Sequence, residues 1–200
     1  MIENPSEKDE LYLANVAKIG KSTENIQYIK NVLPEQDHKV ILDYVKNADS
    51  WNQEPWQAKT IRSNQMPDDI LSMLEKVFTL VHEKAIGLYD VKIDPFQKSS
   101  IHLVKFVEGF FLVPHTDTQS DESLHIASVY YINEDYEGGE INFPGHKLKI
   151  KPEANSLVIF PGNENYIHEV RKIINKNRYS SAMWFQFTGS EFNKKKEWYD

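Results

Sequence analysis

The 200-residue chain contains no cysteine. That excludes disulfide frameworks, thiolate-bound zinc, Cys nucleophiles and Cys-ligated iron–sulfur clusters. Any metal here must be held by imidazole, carboxylate or water. Positive charge is also in short supply: 23 Lys and Arg stand against 30 Asp and Glu, a net charge of −7. A polyanion binder needs a basic face, so neither nucleic acid nor an anionic membrane surface is an expected partner. No apolar run approaches the roughly 18 residues that a spanning helix requires. The opening MIENPSEKDELYLANVAK shows no basic stretch leading into an apolar one, so no secretory signal is expected. A reduced, cytoplasmic setting is the expectation. No fixed-period repeat or low-complexity tract is present, which excludes solenoids and propellers.

What is present is ordinary for a soluble globular chain: 40% hydrophobic and 26% charged residues. A chain of this size buries roughly 70% of its unfolded surface, enough for a core without staples. Two segments carry helical periodicity. Val40, Ile41, Tyr44 and Val45 recur between Pro34 and Asn47. Ile70, Leu71, Leu74, Val77, Phe78, Val81 and Ala85 form a wide stripe between Pro67 and Leu88. Asp68 and Asp69 suit the positive end of that second helix, and Gly87 falls near its close.

After about Ser99 the texture changes to short β-branched and aromatic runs cut by turn residues. The runs are Ser100–Phe106, Phe110–Val113, Leu124–Asn133, Glu140–Phe143, Leu148–Ile150, Ser156–Phe160, Ile167–Ile174 and Tyr179–Thr188. About eight short strands at this spacing predict an antiparallel sandwich or barrel. The expected class is α+β, a jelly roll braced by N-terminal helices. Residues 1–98 are expected to supply helical support and substrate-side elements, 99–188 the jelly-roll core, and 189–200 a solvated tail.

The chain contains one His-x-Asp, His115-Thr116-Asp117. Residues two apart on an extended strand share a face, so an imidazole and a carboxylate would project together. With one remote His they would make the facial triad that suits non-heme Fe(II). His125, His146 and His168 are the candidates for that third position. An enzyme using a dianionic co-substrate also needs a cation further on, and Arg grips a carboxylate best. Of the three, only His168 is followed nine to eleven residues later by a basic side chain, Arg178, with Ser180 offering a hydroxyl beside it. Spacing alone leaves the choice open.

Four segments then agree in order and spacing: KFVEGFFLVPHTD, SVYYINEDYEGGEINFP, KPEANSLVIFPGNENYIHEV and NRYSSAMWFQF. Together they make Lys105–Phe187 resemble the iron(II)- and 2-oxoglutarate-dependent dioxygenases of the prolyl 4-hydroxylase group. The resemblance implies a double-stranded β-helix with its site between two sheets, and Fe(II), 2-oxoglutarate and O₂ as reactants. Oxidative decarboxylation to succinate and CO₂ would be coupled to hydroxylation of a C–H bond, with ascorbate as the expected reductant. By the same resemblance His115, Asp117 and His168 match the iron ligands, and Arg178 the residue that pairs with the distal carboxylate of 2-oxoglutarate. Tyr131 matches a hydroxyl donor to that carboxylate. Phe106 departs from the pattern, standing where many members carry Tyr, so one hydrogen bond to the co-substrate is expected either to be missing or to be supplied by Ser180. Asp117 speaks against a halogenase, which gives up the carboxylate.

The segment Trp51–Gln65 is expected to help cover the substrate, with Trp56 and Arg62 as exposed candidates and Trp184 as a pocket wall. The substrate expected is a prolyl residue in a peptide or protein. The alternatives are a free amino acid or other small molecule, and, from another class, a non-catalytic metal- or sugar-binding jelly roll. Nothing in the chain specifies an oligomeric state.

Overall fold

The computed structural model describes residues 19–55, 58–90, 93, 100–117 and 125–186. In chain order the elements are β1 (Gln27–Lys30), α1 (Glu35–Asn47), β2 (Asn52–Gln53), β3 (Lys59–Arg62) and α2 (Asp68–Tyr89). There follow β4 (His102–Phe106), β5 (Leu112–His115), β6 (His125–Tyr131), β7 (Glu137–Gly138), β8 (Ile141–Phe143) and β9 (Leu148–Ile150). The last are β10 (Ser156–Pro161), β11 (His168–Val170), β12 (Ile173–Ile174) and β13 (Arg178–Gln186).

Both helices begin directly after a proline, whose φ near −55° starts a helical turn while its missing N–H costs no bond there. On α1, Ile41 and Val45 are buried four apart; on α2 the buried stripe runs Ile70, Leu74, Val77, Phe78, Val81, Ala85 and Tyr89. The 3.6-residue period puts these on one face. Gly87 lies inside α2, and the left-handed residue that ends the helix is Asp90, at φ +48°. Its short polar side chain tolerates that conformation. Among the described residues no helix is long and apolar enough to cross a membrane.

The strands form two facing layers and a small two-stranded ribbon. The major sheet has the order β1-β10-β6-β13-β4-β3-β2; the minor sheet has the order β5-β11-β8-β9; β12 pairs with β7. Every pairing is antiparallel. Strand alternation divides the major sheet's two faces. Leu103, Ser181, Tyr130 and Leu157 lie in one cross-strand row. Phe185 shares that face and meets Phe78 of α2 at 6.5 Å between ring centroids. This is the helix side. The opposite face carries the rows Arg178–Phe106, Val104–Ser180–Tyr131–Ser156 and Trp184–Ala127–Phe160. It looks toward the minor sheet, where Phe143 of β8 meets Phe160 at 5.1 Å. A functional site on this face is therefore enclosed between sheets, and the helices only stiffen its floor from behind.

The eight expected strands and two helices are found, with ends shifted by a few residues. Ile167–Ile174 divides into β11, which pairs with β5 and β8, and β12, which pairs with β7. The first half also supplies three strands to the major sheet. Each of β1 to β3 has only two to four residues, too few for periodicity to register, and it is pairing with β10 and β4 that makes them strands. Trp56 and the expected tail lie outside the described residues.

Leu74 is fully buried between helix and sheet. Leu74→Ala is expected to lower unfolding stability by about 2–5 kcal/mol. A urea midpoint shift at unchanged slope would measure it.

Candidate active site

His115 ends β5 and His168 opens β11, and the two residues are direct cross-strand partners. Partners on adjacent strands share a face, so the rings meet at 4.3 Å between centroids. Asp117, just beyond β5, places Oδ1 3.8 Å from His115 Nε2 and Oδ2 3.8 Å from His168 Nε2. One ligand atom from each of the three lies within 4.8 Å of the others.

The tautomers follow from the partners. His115 Nδ1 lies 2.7 Å from Val113 O, and His168 Nδ1 lies 3.2 Å from Tyr166 O. A carbonyl oxygen only accepts, so each Nδ1 carries a proton and Nε2 is the nitrogen turned toward Asp117. Outer hydrogen bonds of this kind fix ring orientation in metal sites. His168 is buried against Phe160 and Phe143, at 4.6 and 5.6 Å. Desolvation lowers its pKa, with His115 adding in the same direction and Asp117 opposing, so the ring stays neutral. Two neutral imidazoles and a carboxylate are the donor set for mononuclear non-heme Fe(II). The residues present fit such an ion. His115 is the most open of the three, with its side chain 31% exposed.

Of the competing histidines, His146 leads elsewhere. Both nitrogens of His146 are engaged, by Asn165 O at 2.8 Å and Thr23 Oγ1 at 3.2 Å, and its ring stacks on Tyr166. His125 begins β6 opposite Gln186.

Arg178 starts β13 on the same inward face, opposite Phe106. Its guanidinium is buried, 4.6 Å above the Phe106 ring and 5.4 Å from that of Tyr131. One terminal N–H donates to Gly139 O at 3.0 Å. Among the described residues no carboxylate lies within ion-pair distance of it, and its Nε has no partner. A buried cation so placed calls for an anionic acceptor. Tyr131 and Ser180 face each other on the next row, both buried. Burial pushes the Tyr131 phenol up to about 12, although Arg178 pulls it down, so it remains a protonated donor.

Local backbone chemistry sets this end of the pocket. Gly138 and Gly139 take φ of +68° and +66°. A Cβ at Gly138 would lie 1.9 Å from Lys172 O, and one at Gly139 2.8 Å from the Tyr136 ring. Only glycine presents the Gly139 carbonyl to Arg178 here. Asn133 Oδ1 accepts from Tyr179 N at 2.7 Å while its Nδ2 donates to Asn177 O, pinning the start of β13. Sequence reasoning passes over Asn133, read as the end of a strand, and Tyr136, which stands beside turn residues where patterning is read as loop.

At the other end of the face, Arg62, His102 and Ala182 form one row. Trp184, next along β13, stacks on His102 at 6.1 Å with its planes 17° apart, and is 39% exposed. Arg62 lies 3.8 Å from Glu54, which also accepts from Thr60 Oγ1 at 2.5 Å. Trp184 is thus a rim residue, and Trp56 is not among the described residues.

Residues 101–186 match the family model of the 2OG-Fe(II) oxygenase superfamily. That segment spans both the His-Asp-His group and Arg178. Over those residues the chain resembles the 2-oxoglutarate- and iron(II)-dependent oxygenases. Among solved structures it is similar to a prolyl hydroxylase from Trichoplax adhaerens in complex with a hypoxia-inducible-factor oxygen degradation domain peptide. That likeness has a TM-score of 0.68 at 16% identity, over 90% of each chain. It is also similar to a viral collagen prolyl hydroxylase from Paramecium bursaria Chlorella virus-1 in complex with 2-oxoglutarate. There the TM-score is 0.62 at 14% identity, over 82% of this chain and 96% of that one. A Pseudomonas putida prolyl-4-hydroxylase gives 0.61 at 19% identity, over 89% and 98%. Their shared double-stranded β-helix is the fold described above. No curated protein sequence matches the chain.

Proposed function

We propose that the protein hydroxylates a prolyl residue in a peptide or protein, with His115, Asp117 and His168 as its iron ligands and Arg178 as its 2-oxoglutarate clamp. The observation that carries the reading is the pairing of two groups in the space enclosed by the facing sheets. A two-imidazole, one-carboxylate group stands at one level, and a buried guanidinium without a carboxylate partner among the described residues stands at another. When bound, the ion supplies the oxidative chemistry that splits 2-oxoglutarate to succinate and CO₂ and delivers oxygen to a C–H bond.

The chain's own residues bind and orient. Arg178 holds the far carboxylate by a charge-assisted fork, and Tyr131 and Ser180 lie in the row beside it. Phe143 and Phe160 wall His168 with apolar surface and keep water from that ligand. Trp184, Arg62 and His102 form the rim that substrate meets. A half-exposed indole stacked on an imidazole offers a flat apolar platform of the sort a pyrrolidine ring covers well. The hydroxylases from Trichoplax and the Chlorella virus share the fold, which favours peptide over free amino acid. Ascorbate, or a comparable reductant of a cytoplasmic setting, is proposed to keep the metal ferrous.

The test is mass spectrometry of Pro-containing peptides and free amino acids incubated with the enzyme, Fe(II), 2-oxoglutarate and air. The expected result is a 2-oxoglutarate-dependent gain of one oxygen on a prolyl residue. Oxygen gain confined to free amino acids would overturn the peptide assignment.

A further inference from the structure

Among the described residues five buried side-chain polar atoms have no hydrogen-bond partner: His82 Nε2, Tyr136 Oη, Asn163 Nδ2, Arg178 Nε and Gln186 Oε1. Native proteins leave few such atoms, and each needs a reason. Two of the five belong to one cluster. The Tyr136 ring is buried with Phe106, Phe110 and Ile173. It lies against Gly139, the residue whose carbonyl receives the Arg178 guanidinium. Phe106, directly beneath that guanidinium, brings a ring and no hydroxyl.

Both unmatched atoms belong to hydrogen-bond donors. Arg178 Nε–H can only donate. Burial holds the Tyr136 phenol well above its ordinary range, even though the Arg178 charge reaches it and pulls the other way, so the hydroxyl keeps its proton. A carboxylate, with lone pairs on both oxygens and no proton to give, is the acceptor that satisfies two donors at once. We propose that Tyr136 donates its phenolic hydrogen bond to the carboxylate held by Arg178, which makes it a co-substrate-binding residue of this enzyme. The inference rests on the reading above that Arg178 clamps the distal carboxylate of 2-oxoglutarate. It adds a hydroxyl from a loop between β6 and β7 to the donors on the sheet, and it explains how the pocket serves a dianion with Phe106 beside the cation.

The test compares wild type, Tyr136→Phe and Arg178→Ala as full-length protein, loaded with Mn(II) under nitrogen and titrated calorimetrically with 2-oxoglutarate. A hydrogen bond to a charged acceptor sets the scale, so Tyr136→Phe is expected to weaken binding about tenfold or more. In steady state its KM for 2-oxoglutarate is expected to rise with kcat unchanged. Without ligand its melting temperature is expected to stay level or rise, because the substitution removes a buried hydroxyl that had no partner. Wild-type affinity in Tyr136→Phe together with lost affinity in Arg178→Ala overturns the role of Tyr136 and leaves the clamp standing. Unchanged affinity in Arg178→Ala overturns the clamp itself. A melting temperature lowered equally with and without 2-oxoglutarate marks Tyr136 as packing and overturns the proposal.

Discussion

Asp117→Ala is expected to abolish succinate formation and to strip the protein of Fe(II) during dialysis. The carboxylate sits 3.8 Å from both Nε2 atoms and supplies the only negative charge of the three, since an imidazole binds a metal through a neutral ring nitrogen. Removing it leaves a dication facing two neutral donors at a site already partly open at His115. Loss of an outer hydrogen-bond partner to a ligand costs 10–100-fold in metal affinity or activity. Loss of the ligand itself must exceed that, so turnover is expected to fall by at least about 100-fold. Asp117→Asn separates charge from shape: it keeps the side chain's volume and drops the anion, and it is expected to lose nearly as much. His168→Ala should match it, because the cross-strand pairing with His115 brings its Nε2 to the same point. Metal analysis alongside the succinate assay is decisive. Full Fe(II) content and normal succinate in the Asp117 variants would remove the assigned ligand set.

How much of this fold and site is legible in the amino-acid sequence depends on the length scale of the signal. The α2 stripe and the strands from His102 onward are legible, because 3.6- and 2-residue periods persist over enough residues to be counted. His115 and Asp117 are legible as a local pair. Their link to His168 is not, since it depends on β5 and β11 becoming neighbours, and spacing leaves His125 and His146 standing beside it. Geometry separates the last of these at once, through the two bonds that occupy the His146 ring. The strand character of Gln27–Lys30 and Lys59–Arg62 is invisible for a related reason: pairing with β10 and β4 creates it. Tyr136 is the clearest case. Its neighbours Glu137, Gly138 and Gly139 read as a turn, and a turn residue is expected to face water. It is buried instead because the two positive-φ glycines fold the loop back over the end of the sheet. Pairing partners and loop paths are long-range facts, and single-sequence patterning carries little of either.

Arg178→Ala is expected to lose 2-oxoglutarate binding while the fold survives. The guanidinium is buried, packed between the Phe106 and Tyr131 rings, with one terminal N–H donated to Gly139 O. Truncating one partner of a buried, hydrogen-bonded charge pair costs about 2–5 kcal/mol. On that scale KM for 2-oxoglutarate rises by roughly 30-fold to several thousandfold. Arg178→Lys keeps the charge but not the planar fork, and is expected to fall between. Stability gives the argument a second handle. In the ligand-free protein the buried cation has no carboxylate partner among the described residues, so Arg178→Met, which preserves much of the apolar stem, is expected to leave the melting temperature level or raise it. Wild type should gain on adding 2-oxoglutarate, by about 2.7 kcal/mol at a hundred times Kd. The Met variant should gain less than about 0.9 kcal/mol at the same concentration, because a loss of about 30-fold or more leaves it at no more than about three times its Kd. Stabilisation of both proteins alike would place the co-substrate's charge elsewhere in the pocket; a full gain seen only with Arg178 present ties the dianion to this residue, because the ligand can stabilise the fold only through contacts that the native state alone provides.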